Sequence, residues 1–96
     1  MIPVIDFKKE VTNWADDIGV VPKQIHVREM RKKWASCSSK GRLTFSYDLL
    51  DKNYEKRSIA IVHELLHLKY PSHNKMFNNT LKAYLEKNGL NFTVIE

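Results

Sequence analysis

The chain is poor in the residues that staple or interrupt small proteins: one cysteine, three glycines and three prolines in 96 residues. A lone cysteine, Cys37, closes no internal disulfide, so stability comes from elsewhere, and the pattern agrees with a reducing compartment. In a strand-like segment a small thiol packs more often than it reacts. With so few glycines and prolines there is no linker-like stretch, and no repeat or low-complexity segment divides residues 1–96, which read as a single domain. No run approaches the ~20 apolar residues of a membrane span, and residues 1 to 8 lack the apolar core of a signal peptide. The expectation is a soluble, cytoplasmic protein without membrane contact.

What is present is an ordinary globular composition, 43% hydrophobic and 28% charged, which excludes a disordered chain. A domain this small has a modest core, and a bound metal would help it. Sixteen Lys and Arg against eleven Asp and Glu leave a net charge of +5, which favours acidic partners or nucleic acid. The only dense basic run, residues 28 to 33, comes without a nucleic-acid motif and reads first as a solvated strand and turn.

Apolar residues Phe7, Val11, Trp14, Ala15 and Ile18 recur at helical spacing and predict a helix over 6–19, closed by Gly19. Alternation in residues 24–30, 33–37 and 42–47 predicts a small three-stranded antiparallel sheet within 24–47, with a turn at Ser38, Ser39, Lys40 and Gly41. A second helix is expected over 54–69, stopped by Pro71, and a third over 72–88, capped by Ser72 and ended by Gly89. The fold class is therefore α+β. The tail, residues 90–96, alternates Leu90, Phe92 and Val94 with polar residues and is expected to pair as a strand.

The second helix carries the chemistry. At 100° per residue, Ile59, Ile61, Val62, Leu65, Leu66 and Leu68 share one half of the cylinder, while His63, Glu64 and His67 share the other with Ala60 between them. A strongly apolar helix has little reason to gather all its polar groups on one face unless that face is a cleft floor. His63 and His67, four residues apart, stand one turn above each other and can reach one ion. Zinc fits this pair, since it accepts neutral imidazole nitrogen and in catalytic sites takes three protein ligands and a water. Glu64 is then placed as the general base for that water. Two residues compete for the third position, His73 and Glu86; helical projection favours His73, which shares the inward stripe of Phe77 and Tyr84, whereas Glu86 falls on the outer side with Lys82. Tyr70, Tyr47 and Tyr84 could each donate to an oxyanion but are read as packing, and His26 is read as a surface or packing residue.

The ordered combination of residues 30 to 38 (MRKKWASCS), Lys40-Gly41, Asp48-Leu49-Leu50, His63-Glu64-Leu65-Leu66-His67-Leu68 and Pro71-Ser72-His73-Asn74-Lys75-Met76-Phe77 resembles the YgjP-like zinc metallopeptidases. That group is related to the SprT-like and WLM proteases and is similar in size to the minigluzincins. The resemblance covers residues 24 to 89. It implies a minimal zincin fold, a short sheet over an active-site helix, with His63, His67 and His73 as ligands of one Zn2+ and Glu64 as the catalytic glutamate. Ala35 stands where the family usually has glycine, and the name minigluzincin keeps Glu86 as a rival ligand.

The function expected is hydrolysis of peptide bonds in unfolded or flexible peptide by an HExxH endopeptidase, with Glu64 assisting attack by a zinc-held water. The tail would either complete the sheet or hold the enzyme latent by occupying the cleft with Glu96 near the zinc, as the resembling minigluzincins are held. The alternative is a zinc-stabilised basic module that contacts nucleic acid through residues 28 to 33. Structural zinc sites usually have a closed shell of four ligands rich in cysteine, which weighs against it.

Overall fold

The computed structural model describes residues 1–90. Helix α1 spans Val4–Ile18, strand β1 Gln24–Arg28, β2 Ala35–Cys37 and β3 Arg42–Ser46; a 3-10 turn at Tyr47–Asp51 leads into α2, Tyr54–Leu66, and α3 covers Lys75–Lys87. Among the described residues no helix is long and apolar enough to cross a membrane. The α+β class and the helix order are as the sequence predicts. Residues 91 to 96 of the expected tail lie outside the described residues; Leu90 belongs to the α3 terminus, where its N–H donates to the Leu85 carbonyl and its side chain packs on the core.

Each helix end has a local cause. Gly19 closes α1 in the left-handed region (φ 83°), its N–H bonded to the Ala15 carbonyl. The Asn53 side chain accepts from the Lys56 N–H and starts α2. Past Leu66 the chain tightens: Leu68 and Lys69 donate to carbonyls three residues back, so regular helix ends earlier than the expected Lys69, just before the Tyr70-Pro71 step. Asn74, rather than the expected Ser72, caps α3 by accepting from the Phe77 N–H. His73 therefore precedes α3 instead of standing on its inward stripe.

The sheet corrects the antiparallel expectation, because it is mixed, with β3 central in the order β1-β3-β2. β2 and β3 form the expected antiparallel hairpin, Ser36 opposite Thr44. β1, however, runs parallel to β3, Ile25 beside Leu43 and Val27 beside Phe45. Alternation marks a half-buried strand in either direction and carries no information about its neighbour. Direction is set by the crossover through residues 29 to 34, which takes the chain past the site of β3 before the hairpin fills it.

The core gathers one face of each element onto α2, which contacts both other helices and β2. Phe7 of α1 meets Phe45 of β3 edge to face, ring centroids 5.1 Å apart, both fully buried. Among the described residues no fully buried side-chain nitrogen or oxygen lacks a partner. Trp14 Nε1 donates to Ser58 Oγ (3.3 Å). Arg57 of α2 grips Glu10 of α1 through Nε and Nη2 (2.9 and 2.8 Å) and donates from Nη1 to the Lys52 carbonyl.

That two-pronged pair is largely withdrawn from solvent, at 10% and 20% side-chain exposure, so removing one partner strands the other. Arg57→Met is expected to cost about 3 kcal/mol, and the double variant with Glu10→Gln to recover part of that loss. Urea unfolding of the wild type, both single variants and the double variant measures the coupling.

Candidate active site

α2 has its inner face in the core and turns Ala60, His63, Glu64 and His67 towards an open cleft. Residues 32 to 39, which include the edge strand β2, line the cleft as well, together with Pro71, His73, Asn78 and Leu81. His63 and His67 sit one helical turn apart, and the Tyr70-Pro71 reversal brings His73 back over them. The three imidazole centroids lie 4.6 to 5.1 Å apart. One ligand nitrogen from each of the three falls within 4.8 Å of the others, and among the described residues this is the group able to hold a metal ion. Glu86 is exposed on α3 and is not part of it.

Hydrogen bonding arranges the donors. His67 Nδ1 is 3.2 Å from the Tyr70 carbonyl, which can only accept, so Nδ1 carries the proton and Nε2 keeps its lone pair. His73 Nε2 lies 2.8 Å from that same His67 Nε2, and in the metal-free rings it must be the donor. A cation would replace that shared proton. Three neutral imidazole nitrogens, one fixed by a backbone carbonyl and open to a cleft, fit a divalent transition metal with room for a further ligand.

Two features here escaped the sequence reading. Phe77, expected only as core, lies under all three imidazoles at centroid distances of 5.1, 4.8 and 5.0 Å and forms their apolar floor. Its place four residues after His73 was the available signal, but a stripe of apolar residues gives no hint of what it supports. Tyr70 contributes its carbonyl to the site rather than a hydroxyl.

The electrostatics follow from burial. His63 is pushed down to about 4, first by burial and then by its two imidazole neighbours. His67 is lowered first by burial and then by His73, with the Tyr70 carbonyl opposing. Burial drives Glu64 up to about 7, while Lys33 pulls it down. Its Oε2 stands 4.0 Å from His63 Nε2, and because His63 is uncharged at neutral pH this is a contact rather than an ion pair. A buried carboxyl that titrates near neutrality, beside a ligand cluster, can both take and return a proton. The Cys37 thiol on β2 is pushed up by burial and by Glu64, which makes it a packing group.

Residues 4–88 match the family described as YgjP-like, metallopeptidase domain. The chain belongs to that family. Its fold is similar to two solved structures, the metallopeptidase zymogens abylysin of Pyrococcus abyssi and jannalysin of Methanocaldococcus jannaschii, each at a TM-score of 0.70. The abylysin match is 18% identical and covers 91% of this chain and 99% of that one; the jannalysin match is 28% identical and covers 85% and 84%. No curated protein sequence matches at a significant level. The YgjP-like domain is thus a metallopeptidase domain with three histidines placed to bind a metal.

The shifted groups make opposite demands on the metal-free fold, the lowered His63 and His67 on one side and the raised Glu64 on the other. Between pH 6.5 and about 4 the unfolded chain takes up a proton that buried His63 refuses, so this stability is lost as pH falls. Between 4.5 and about 7 the fold keeps a Glu64 proton that the unfolded chain has released, so this stability is lost as pH rises. The two slopes oppose each other over the shared window. Metal-free wild type is expected to gain Tm only shallowly from pH 4.5 to 6.5, because Glu64 opposes what His63 and His67 contribute, whereas metal-free Glu64→Gln should gain Tm more steeply with pH. Melting curves at fixed ionic strength check both.

Proposed function

We propose that this domain is a zinc-dependent endopeptidase that cuts unfolded or flexible peptides, with His63, His67 and His73 holding one zinc ion and Glu64 acting as general base. The observation that carries this reading is the convergence of three imidazoles on the cleft floor with a neutral-range carboxyl beside them. Zinc, when bound, supplies a Lewis acid that polarises a carbonyl and lowers the pKa of water towards ~7. Glu64 takes the proton of the attacking water and later hands it to the leaving amine. Its burial keeps the proton affinity of the carboxyl high enough for both transfers. The Tyr70 carbonyl and Phe77 ring hold the imidazoles in place.

β2 stands at the sheet edge beside the cleft, so its outer backbone can hold an extended substrate as an added strand. A binding module with a purely structural zinc is the weaker reading, since its site would be closed by a fourth protein ligand, and the three imidazoles open to the cleft instead. The tail enters as a latency device. Both similar structures are of zymogens, and here residues 91 to 96 follow directly on the anchored Leu90 and bring Glu96, an oxygen ligand acceptable to zinc.

His63→Ala, His67→Ala and His73→Ala are each expected to lose zinc by metal analysis, while Glu86→Ala keeps it. Glu64→Gln should keep its zinc and lose about 10²- to 10⁴-fold in hydrolysis of an unfolded protein. Full activity in a zinc-loaded Glu64→Gln protein would refute the mechanism.

Deleting residues 91 to 96, and so sparing Leu90, is expected to leave a folded, zinc-loaded domain with raised peptidase activity. A folded but no more active truncation would rule out latency through the tail.

A further inference from the structure

The cleft has an uneven charge that the reaction itself does not require. Lys32, Lys33, Lys52 and Lys56 line it, and Glu64 is the one carboxylate among its described lining residues. The four come from two elements. Lys32 and Lys33 lead into β2, while Lys52 and Lys56 flank the start of α2. They meet at one end of the groove, because Lys52 Nζ stands 4.9 Å over the ring of Trp34, the residue just before β2. The charge reaches the cleft floor, where Lys33 lowers the proton affinity of Glu64.

A solvated rim of lysines is common on basic proteins. Here the lysines line a concave groove whose floor and walls include Leu49, Ile59, Ala60 and Leu81, and low-dielectric walls focus the field of charges placed in them. Trp34 is 42% exposed and gives Lys52 a fixed seat. Seven residues of helix separate Lys56 from His63, or about 10 Å at 1.5 Å per residue. An extended peptide covers that span in about three residues.

We propose that the cleft selects acidic peptides, recognising Asp or Glu side chains within about three residues of the bond to be cut through Lys33, Lys52 and Lys56. This rests on the reading of the cleft as a peptidase site. The positive end attracts an acidic segment and repels a basic one, so the selection acts on encounter as well as on the bound state. A strand laid beside β2 turns every second side chain to one face, so acidic residues on that face can meet the lysines that line the groove.

The test uses fluorescein-labelled, unstructured peptides of Gly, Ser, Ala and Leu that carry two central Asp residues, with otherwise identical peptides carrying Asn or Lys there. Binding is read by anisotropy on zinc-loaded Glu64→Gln protein, and hydrolysis on zinc-loaded wild type. The Asp peptide is expected to bind about tenfold more tightly than the Asn peptide at low salt, with the Lys peptide weakest and the preference shrinking as salt rises. The triple variant Lys33→Gln, Lys52→Gln, Lys56→Gln should bring the Asp to Asn ratio to about one, and the corresponding triple Arg variant should retain it. Equal binding of the Asp and Asn peptides by folded protein overturns the proposal. So does a single-stranded oligonucleotide that binds more tightly than the Asp peptide and displaces it, which would assign the lysines to nucleic acid. Selective binding without cleavage of any peptide would support the acidic preference and refute the peptidase reading; cleavage of all peptides at equal rates would do the reverse.

Discussion

The structure depends on one helix serving two environments. α2 is the element on which both other helices and β2 pack, and its inner side buries Ile61, Val62, Leu65 and Leu66 completely. Its outer side carries His63, Glu64 and His67 along the cleft. A larger protein can separate the helix that stabilises from the helix that reacts; a chain of 96 residues has little core to spare. The benefit is rigidity, because imidazoles placed on a helix clamped by the core have little freedom to drift from their geometry.

The same economy sets the electrostatics. Groups that must be neutral to bind a metal, His63 and His67, are kept so by the burial that raises Glu64. One apolar environment thus favours both the neutral state of the imidazoles and the proton-carrying state of the Glu64 carboxyl. Phe77 supplies part of it from α3, so the third helix contributes to the site through an aromatic face rather than through a ligand. The Arg57 and Glu10 pair fixes α1 against α2 about 1.7 turns before His63, which makes the remote end of the core part of the support for the site.

Membership of the YgjP-like metallopeptidase family, together with similarity to two zymogen structures at a TM-score of 0.70, indicates how little scaffold this chemistry requires. A short sheet places an edge strand opposite the helix, and a reversal at Tyr70 and Pro71 returns a third imidazole to the first two.

The sequence by itself determined whatever local periodicity can encode. The helical repeat of Phe7, Val11, Trp14 and Ile18 encodes α1 and its buried face, and the spacing of His63 and His67 puts two imidazoles on one side of α2. These follow from 3.6 residues per turn, a property of the backbone alone. Tertiary structure decided what depends on partners distant in the chain. The parallel pairing of β1 with β3 was invisible because alternation is the same in both directions. The seat of His73 lies in the turn before α3, since Asn74 made the better cap and left the imidazole free to fold back on His67. The pairing of Arg57 with Glu10, 47 residues apart, and the Phe77 floor arose only when the helices packed, because no local rule says which side chains of separate elements will meet.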